Sequence, residues 1–371
     1  MKKKKILLVS SLYPSRQNPS YGIFVKRCEE GLAGEGFDFI KAVLDYKSGK
    51  ILSKLRAYLY FYFETVRKGL FCDYDFIYGH FVSHVCIPIF IVTLFKKSRI
   101  VINVHGGDLL PENPRAKIFY RFVWNRVLSF FLRRADLIIS PSRYFRGILE
   151  KKFGVSSDKV FVSPSGGVRA GLFVADRLRG GKEKLCLNGR FVAGYLSRLS
   201  ENKGWKIFLK AVELVHKSGR IKNFSALVVG GGDGEEELKK LTADYGLENI
   251  LIHHKSVPPE RVPEFFNAMD IFVFPTLRKA ESLGLVGIEA FSCGLPVLAS
   301  AMSGPTDYVI EGRNGYFFEP GNSEDLADKI IRFYELSGED KNSFSHNAVN
   351  SSKAFEEKRV VKLLAERLAG L

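Results

Sequence analysis

The chain has little that would staple, span or repeat. Five cysteines stand among 371 residues, at Cys28, Cys72, Cys86, Cys186 and Cys293, and no two form a Cys-x-x-Cys pair. An odd, scattered set excludes a disulfide framework and gives no zinc signature, so a reducing compartment is expected. The longest apolar run, Val85 to Phe95, covers 11 residues, where a membrane-spanning helix needs about 20. The basic start, MKKKKILLVSSLYP, reaches Pro14 after a short apolar stretch and reads as a first β-strand, not a signal peptide. There is no Walker loop and no internal repeat beyond two similar α/β halves.

What is present is an ordinary globular balance, 46% apolar and 26% charged, in a length that suits two domains. The charge is one-sided. Residues 1–180 hold 31 basic and 14 acidic side chains, 31 − 14 = +17, and residues 181–371 hold 25 and 26, a net of −1. A basic first half calls for an anionic partner: lipid headgroups, nucleic acid or a phosphorylated acceptor. The stretch Lys47 to Phe71 lies inside it and is the richest in Tyr and Phe, with its apolar residues expected on one broad helical face between lysines and arginines. It reads as a helix packed on a sheet or as one lying in a membrane interface.

The most informative stretch is Phe272 to Ser300. An apolar run, Ile271 to Phe274, stops at Pro275. A polar loop, Thr276 to Ser282, precedes a short helix from about Gly284 to Cys293 with Gly294 as its cap, and Pro296 to Ser300 is a second strand. Free N–H groups of Leu283, Gly284 and Leu285 at that helix start suit an anion, and Gly284 would let a ligand approach. Glu281 and Glu289 bracket the site. Alone they would be solvated charges; beside a phosphate site they suit sugar hydroxyls.

Glu281-Ser282-Leu283-Gly284, Glu289-Ala290 and Cys293-Gly294-Leu295-Pro296-Val297 resemble the donor-site signature of the retaining GT-B glycosyltransferases of family 4, Leu283 replacing the usual Phe. The resemblance runs along nearly the whole chain. It implies an α/β fold of two doubly wound Rossmann-like domains facing across a cleft. Residues 1–175 with the C-terminal helix 352–371 would bind the acceptor, and 176–351 the donor, with Leu172 to Lys184 as linker. Gly22, after the first strand and a turn-rich loop, matches the glycine opposite the donor phosphates, without its usual paired glycine. His105, in His105-Gly106-Gly107-Asp108 at a strand end, matches the histidine that reaches the donor sugar. His80 also ends a strand and stays open between structural and functional roles. Arg198 and Lys203 match the basic pair that neutralises the departing diphosphate, a chemistry that suits a guanidinium fork and a compact ammonium. Arg169 stands where many relatives carry Asp, so that role does not transfer. The glycine loop Gly230 to Gly234 opens an acidic helix and is expected to shape the wall of the site, not to bind phosphate.

The expected activity is transfer of a hexose, with retention, from a UDP- or GDP-sugar to an acceptor hydroxyl in surface polysaccharide or glycolipid synthesis. Glu281 and His105 would be the catalytic groups. Gly22, Arg198, Lys203, Leu283, Gly284, Leu285 and Glu289 would bind the donor. No metal is expected, since the basic pair and the helix N-terminus can take the leaving charge. Expected partners are the nucleotide sugar and a lipid-linked or saccharide acceptor. Peripheral contact with the anionic inner face of the cell membrane would run through the first domain of a cytoplasmic protein, without nucleic acid. Two other readings differ in kind. A sugar-nucleotide epimerase on this fold would need a second acid/base set and would form product without acceptor. A nucleic-acid binder would need a module that the sequence does not show.

Overall fold

A computed structural model of the chain describes residues 3–19, 21–45, 51–112, 123–175 and 181–371. They form two compact units, Met1–Gly167 with Glu357–Leu371, and Val168–Glu356.

The first unit carries strands β1 (Lys5–Ser10), β2 (Asp38–Val43), β3 (Phe76–His80), β4 (Arg99–Asn103), β5 (Leu137–Ser140) and β6 (Val160–Val162). Its helices are α1 (Ile23–Gly34), α2 (Ile51–Phe71), α3 (Val82–Phe95), α4 (Asn125–Arg134) and α5 (Arg143–Phe153). The strands are parallel in the order β2-β1-β3-β4-β5-β6. Alternate residues of β1 divide between two cores: Leu7 and Val9 face the helices α2 to α5, and Ile6 and Leu8 face the other side.

The second unit repeats the plan. It holds α6 (Gly181–Lys184), β7 (Phe191–Leu196), α7 (Trp205–Ser218), β8 (Phe224–Val229), α8 (Glu235–Asp244), β9 (Leu251–His254), α9 (Val262–Phe266) and β10 (Ile271–Phe274). Then come α10 (Leu285–Ser292), β11 (Val297–Ser300), β12 (Gly315–Phe318), α11 (Ser323–Glu335) and α12 (Gly338–Ser352). The order is β12-β11-β10-β7-β8-β9, again all parallel. The last helix, α13 (Glu357–Ala369), belongs to the first unit, where Leu364, Ala365 and Leu368 share a core with Cys28 and Leu32 of α1.

In a doubly wound sheet, ligands meet the carboxyl ends of the strands where the strand order reverses. That point lies between β1 and β3 in the first unit, with Ser10 in register with His80. In the second it lies between β7 and β10.

Three expectations change. The seams fall at Gly167 and Glu357, not after 175 and before 352. Most of the described part of the expected linker packs into the second unit, because Val168 bridges Glu356 and Phe173 is buried with Phe266. Residues 176–180 of that linker lie outside the described residues. The apolar residues of α2 occupy two faces, not one: Phe61 is buried with Thr65 and Gly69 on one face, while Leu52, Leu55, Leu59 and Phe63, each at least 55% exposed, form a second stripe at spacings of three and four residues. Lys47 and Lys50 of that segment lie outside the described residues. Among the described residues, no helix is long and apolar enough to cross a membrane.

Candidate active site

In the second unit, β7 and β10 deliver two loops to the reversal point. The first runs from Ser197 through a turn at Glu201–Lys203 to Gly204, which opens α7 with φ 73°. A side chain there would strike the Pro275 carbonyl at 1.7 Å, so only glycine lets the two loops touch. The second loop is pinned from three sides. The Leu277 N–H donates to Asn202 O at 2.9 Å, the Ser303 hydroxyl donates to Arg278 O at 2.9 Å, and the Gly304 N–H donates to Glu281 O at 3.2 Å.

This clamping buries Glu281 and brings the Lys203 ammonium to 2.5 Å from its Oε2. Thr276 Oγ1 donates to the same oxygen at 3.4 Å, and Arg278 Nη1 lies 3.9 Å away. Burial pulls the Lys203 pKa below its usual range, against the opposite pull of Glu281. Arg198 is exposed on the neighbouring loop. The glycine loop holds that loop in place. The Leu199 N–H donates to Gly231 O at 3.0 Å, the Gly234 N–H donates to Leu199 O at 3.1 Å, and a side chain at Gly230 would meet Ser197 O at 1.9 Å.

The helix α10 starts at Leu285, one residue later than expected, with Gly284 as its left-handed cap (φ 77°). The N–H groups of Leu283, Gly284 and Leu285 donate to no backbone or side-chain acceptor among the described residues. The glycine at 284 is demanded by the protein's own packing, since a side chain would lie 2.3 Å from the Phe274 ring. Leu283 sends its side chain into the core, so it offers only its backbone at the start of α10. Glu289 is half-buried in the second turn of α10.

In the first unit, His80 ends β3 and His105 follows β4. His80 Nδ1 and His105 Nε2 share a hydrogen bond of 3.1 Å, with the rings stacked at 5.3 Å and 18°. Phe81 and Phe24 close on the His105 ring at 4.3 and 5.0 Å. Burial holds the His105 pKa down at about 3 and His80 well below its usual value, so both imidazoles are neutral near pH 7. The buried Asp108 carboxylate accepts the His105 and Val82 N–H groups, each at 3.0 Å, and so ties the His105 loop to the start of α3. Gly22 caps α1 with φ 71°, where a side chain would meet the Leu12 carbonyl carbon and oxygen at 2.5 Å.

Two family models match the chain. The model described as "Glycosyltransferase Family 4" covers residues 30–166, and "Glycosyl transferases group 1" covers 182–351. The chain belongs to the GT-B glycosyltransferases. It is 29% identical over 228 residues to a GDP-mannose-dependent alpha-(1-6)-phosphatidylinositol monomannoside mannosyltransferase of Mycolicibacterium smegmatis, covering 58% of this chain and 56% of that one. It is 33% identical over 147 residues to the capsular polysaccharide biosynthesis glycosyltransferase CapM of Staphylococcus aureus, covering 39% and 37%. The matches thus span about half or less of these relatives' own lengths. Anabaena HepE in complex with UDP has the same fold, at 21% identity, a TM-score of 0.76, and coverage of 99% of this chain and 100% of that one.

Within this glycosyltransferase, then, Lys203 and Glu281 meet although 78 residues separate them. The structure adds Arg278, which sequence reasoning missed; its place in the loop that carries Glu281 was the available signal. It also adds Asp108 as the carboxylate that holds the His105 loop, and His80 as the partner of His105. His105 and Gly22 belong to the first unit; Arg198, Lys203, Glu281, Leu283, Gly284, Leu285 and Glu289 belong to the second.

Proposed function

We propose that this glycosyltransferase moves a hexose, with retention, from a UDP- or GDP-sugar to a hydroxyl of a lipid-linked or saccharide acceptor in surface glycan synthesis. The observation that carries the reading is the buried Lys203–Glu281 pair beside three uncommitted N–H groups at the start of α10. Cation and N–H donors suit the diphosphate, and the carboxylate beside them suits sugar hydroxyls. In this reading Arg198, Lys203 and the N–H groups of Leu283, Gly284 and Leu285 take the charge that develops on the leaving diphosphate. Glu281 orients the sugar and Glu289 holds the ribose. His105 meets the sugar as a neutral donor from the first unit, with Gly22 opposite the phosphates. The acceptor oxygen bonds to the anomeric carbon as the carbon–phosphate oxygen bond breaks, and the acceptor proton leaves with the diphosphate. No protein nucleophile and no metal is assigned to the step.

The relatives' printed activities, on a phosphatidylinositol mannoside and in capsular polysaccharide biosynthesis, favour an acceptor at a membrane. The +17 of residues 1–180 and the exposed stripe of α2 favour contact of the first unit with an anionic bilayer face. The test of the donor reading is a thermal-shift screen against UDP-glucose, GDP-mannose and ADP-glucose. A donor at 100 times its Kd adds about 2.7 kcal/mol to stability. No shift with any of the three would overturn the reading.

A further inference from the structure

His80 is buried at the reversal point of the first sheet, and its Nε2 has no hydrogen-bond partner among the described residues. We propose that His80 is a positioning residue that fixes the tautomer of His105: its Nδ1–H donates to His105 Nε2, so that His105 keeps its proton on Nδ1 and presents that N–H to a ligand. The catalytic consequence rests on the reading of His105 as the group that meets the donor sugar.

Two neutral imidazoles joined by one hydrogen bond have two possible arrangements. If His105 donated from Nε2, His80 Nδ1 would accept, and the proton of His80 would sit on its sealed Nε2. A buried N–H without an acceptor is the rarer and costlier defect; a bare ring lone pair is the milder one. The arrangement in which His80 donates therefore prevails. It leaves the His105 proton on Nδ1, an atom that makes no hydrogen bond yet is not sealed from solvent.

The surroundings allow no easy escape by rotation. The two rings stack, and Phe81 and Phe24 bracket His105. The Asp108 carboxylate holds the backbone of both corners, through His105 N and Val82 N. The depressed pKa values of both rings agree with a neutral pair. An Nδ1–H donor held this way accepts no proton during turnover. It offers a directed hydrogen bond to a sugar oxygen, and its strength does not vary with pH above the acid range.

The test is the tautomer itself. In full-length protein labelled with ¹⁵N-histidine, seven side chains give long-range ¹H–¹⁵N correlations, and loss of one set in His105→Gln assigns His105. The expected pattern at pH 7.5 is a protonated Nδ1 and a bare Nε2. A protonated Nε2 in the wild type overturns the proposal. His80→Asn puts an amide N–H near the place of the ring Nδ1–H and should keep both the pattern and kcat within about threefold. His80→Leu should release His105 to a mixture of tautomers and lower kcat by roughly 10- to 100-fold, as outer partners of oriented imidazoles do, with KM changing less. Wild-type kcat in a folded His80→Leu protein also overturns it. Should that variant fail to fold, the wild-type spectrum and His80→Asn still decide. The spectrum needs no donor, so absence of turnover with UDP-glucose or GDP-mannose would remove the glycosyl-transfer reading and leave the tautomer assignment standing.

Discussion

The two units share one sheet plan yet fill their reversal points with opposite chemistry. In the second unit the point is charged: Lys203, Glu281 and Arg278 converge within 4 Å of one carboxylate oxygen. In the first it is neutral and aromatic: two stacked imidazoles, His105 against Phe81 and Phe24 and His80 against Tyr78, with the buried Asp108 carboxylate spent on backbone N–H groups. Net charge runs the other way, +17 in residues 1–180 against −1 in 181–371. The excess charge of the first half thus lies outside this neutral cluster. In the nearly neutral second half Lys203 and Glu281 are paired and largely buried, while Arg198 is exposed. Total charge reports partners; the sign at a strand end reports chemistry.

The sharpest way to break this contrast is to remove the paired charge. Lys203→Ala should lower kcat by about 10²-fold or more, as loss of one transition-state donor does. It should also lower Tm, because Glu281 stays buried without its partner, a loss of roughly 3–5 kcal/mol for a fully buried pair. Arg198→Ala should cost as much in kcat and almost nothing in Tm, since Arg198 is exposed. Turnover and melting curves separate the two; near-normal turnover in both variants removes them from the site.

Next in size is the surface charge of the first half. Each basic side chain near an anionic bilayer contributes roughly 1 kcal/mol before screening. Replacing Lys47, Lys50, Lys54 and Arg56 by Gln should weaken binding to anionic vesicles by about 30-fold, taking screening to halve that sum. Donor affinity should stay intact. Leu55→Ser, Leu59→Ser and Phe63→Ser together should remove the part of binding that survives high salt. Failure of the wild type to co-sediment with vesicles of phosphatidylglycerol at low salt would leave these residues as solubilising surface.

A smaller effect separates the two glutamates of the second unit. Glu289→Gln should weaken binding of the free nucleotide by about tenfold, the scale of one charge-assisted hydrogen bond. Glu281→Gln should spare that affinity and lower turnover. Calorimetry that finds the variants alike would reject the ribose and sugar assignments. Turnover is also expected to survive EDTA, because the proposed leaving-group charges are met by Arg198, Lys203 and the α10 N-terminus.

How legible this was depends on sequence distance. The loop and helix from Thr276 to Gly294 could be read directly, because strand, loop, cap and helix follow one another and each leaves a local mark: Pro275, Gly284, Gly294. Strand β2 left none. Its sequence DFIKAV mixes charge into both faces, and five of its six residues are partly or well exposed, Ala42 alone being buried. Strand β12 hides behind the turn glycines 312 and 315. The two-faced α2 defeats a one-stripe pattern because it packs on the sheet while exposing a second apolar row. The Lys203–Glu281 and His80–His105 pairs span 78 and 25 residues. Only the sheet order brings their loops to one place. The sequence could nominate such residues, but not say which of them touch.

The smallest expected effect concerns pH, and it falls on the first unit. Burial lowers the His105 pKa to about 3 in the folded state, against about 6.5 when unfolded. The unfolded chain then binds the extra proton between those values, so this contribution is complete above pH about 6.5 and is lost as pH falls towards 3. His80 acts in the same sense. Asp108 acts against them: burial raises its pKa to about 6, from 3.8. Its contribution is complete below the unfolded value and is lost as pH rises through about 6. Two imidazoles oppose one carboxylate where the windows overlap, between pH about 4 and 6. The net expectation is a gain in protection of β3 and β4 amides against hydrogen exchange as pH rises from 4 to 6.5, after correction for intrinsic exchange rates. His105→Gln should flatten that slope. Asp108→Asn should steepen it while lowering protection throughout, because an amide oxygen cannot accept both backbone N–H groups as the carboxylate does. A slope unchanged in both variants would mean that the cluster is not the group that titrates, and the contrast between a neutral first site and a charged second one would lose its electrostatic basis.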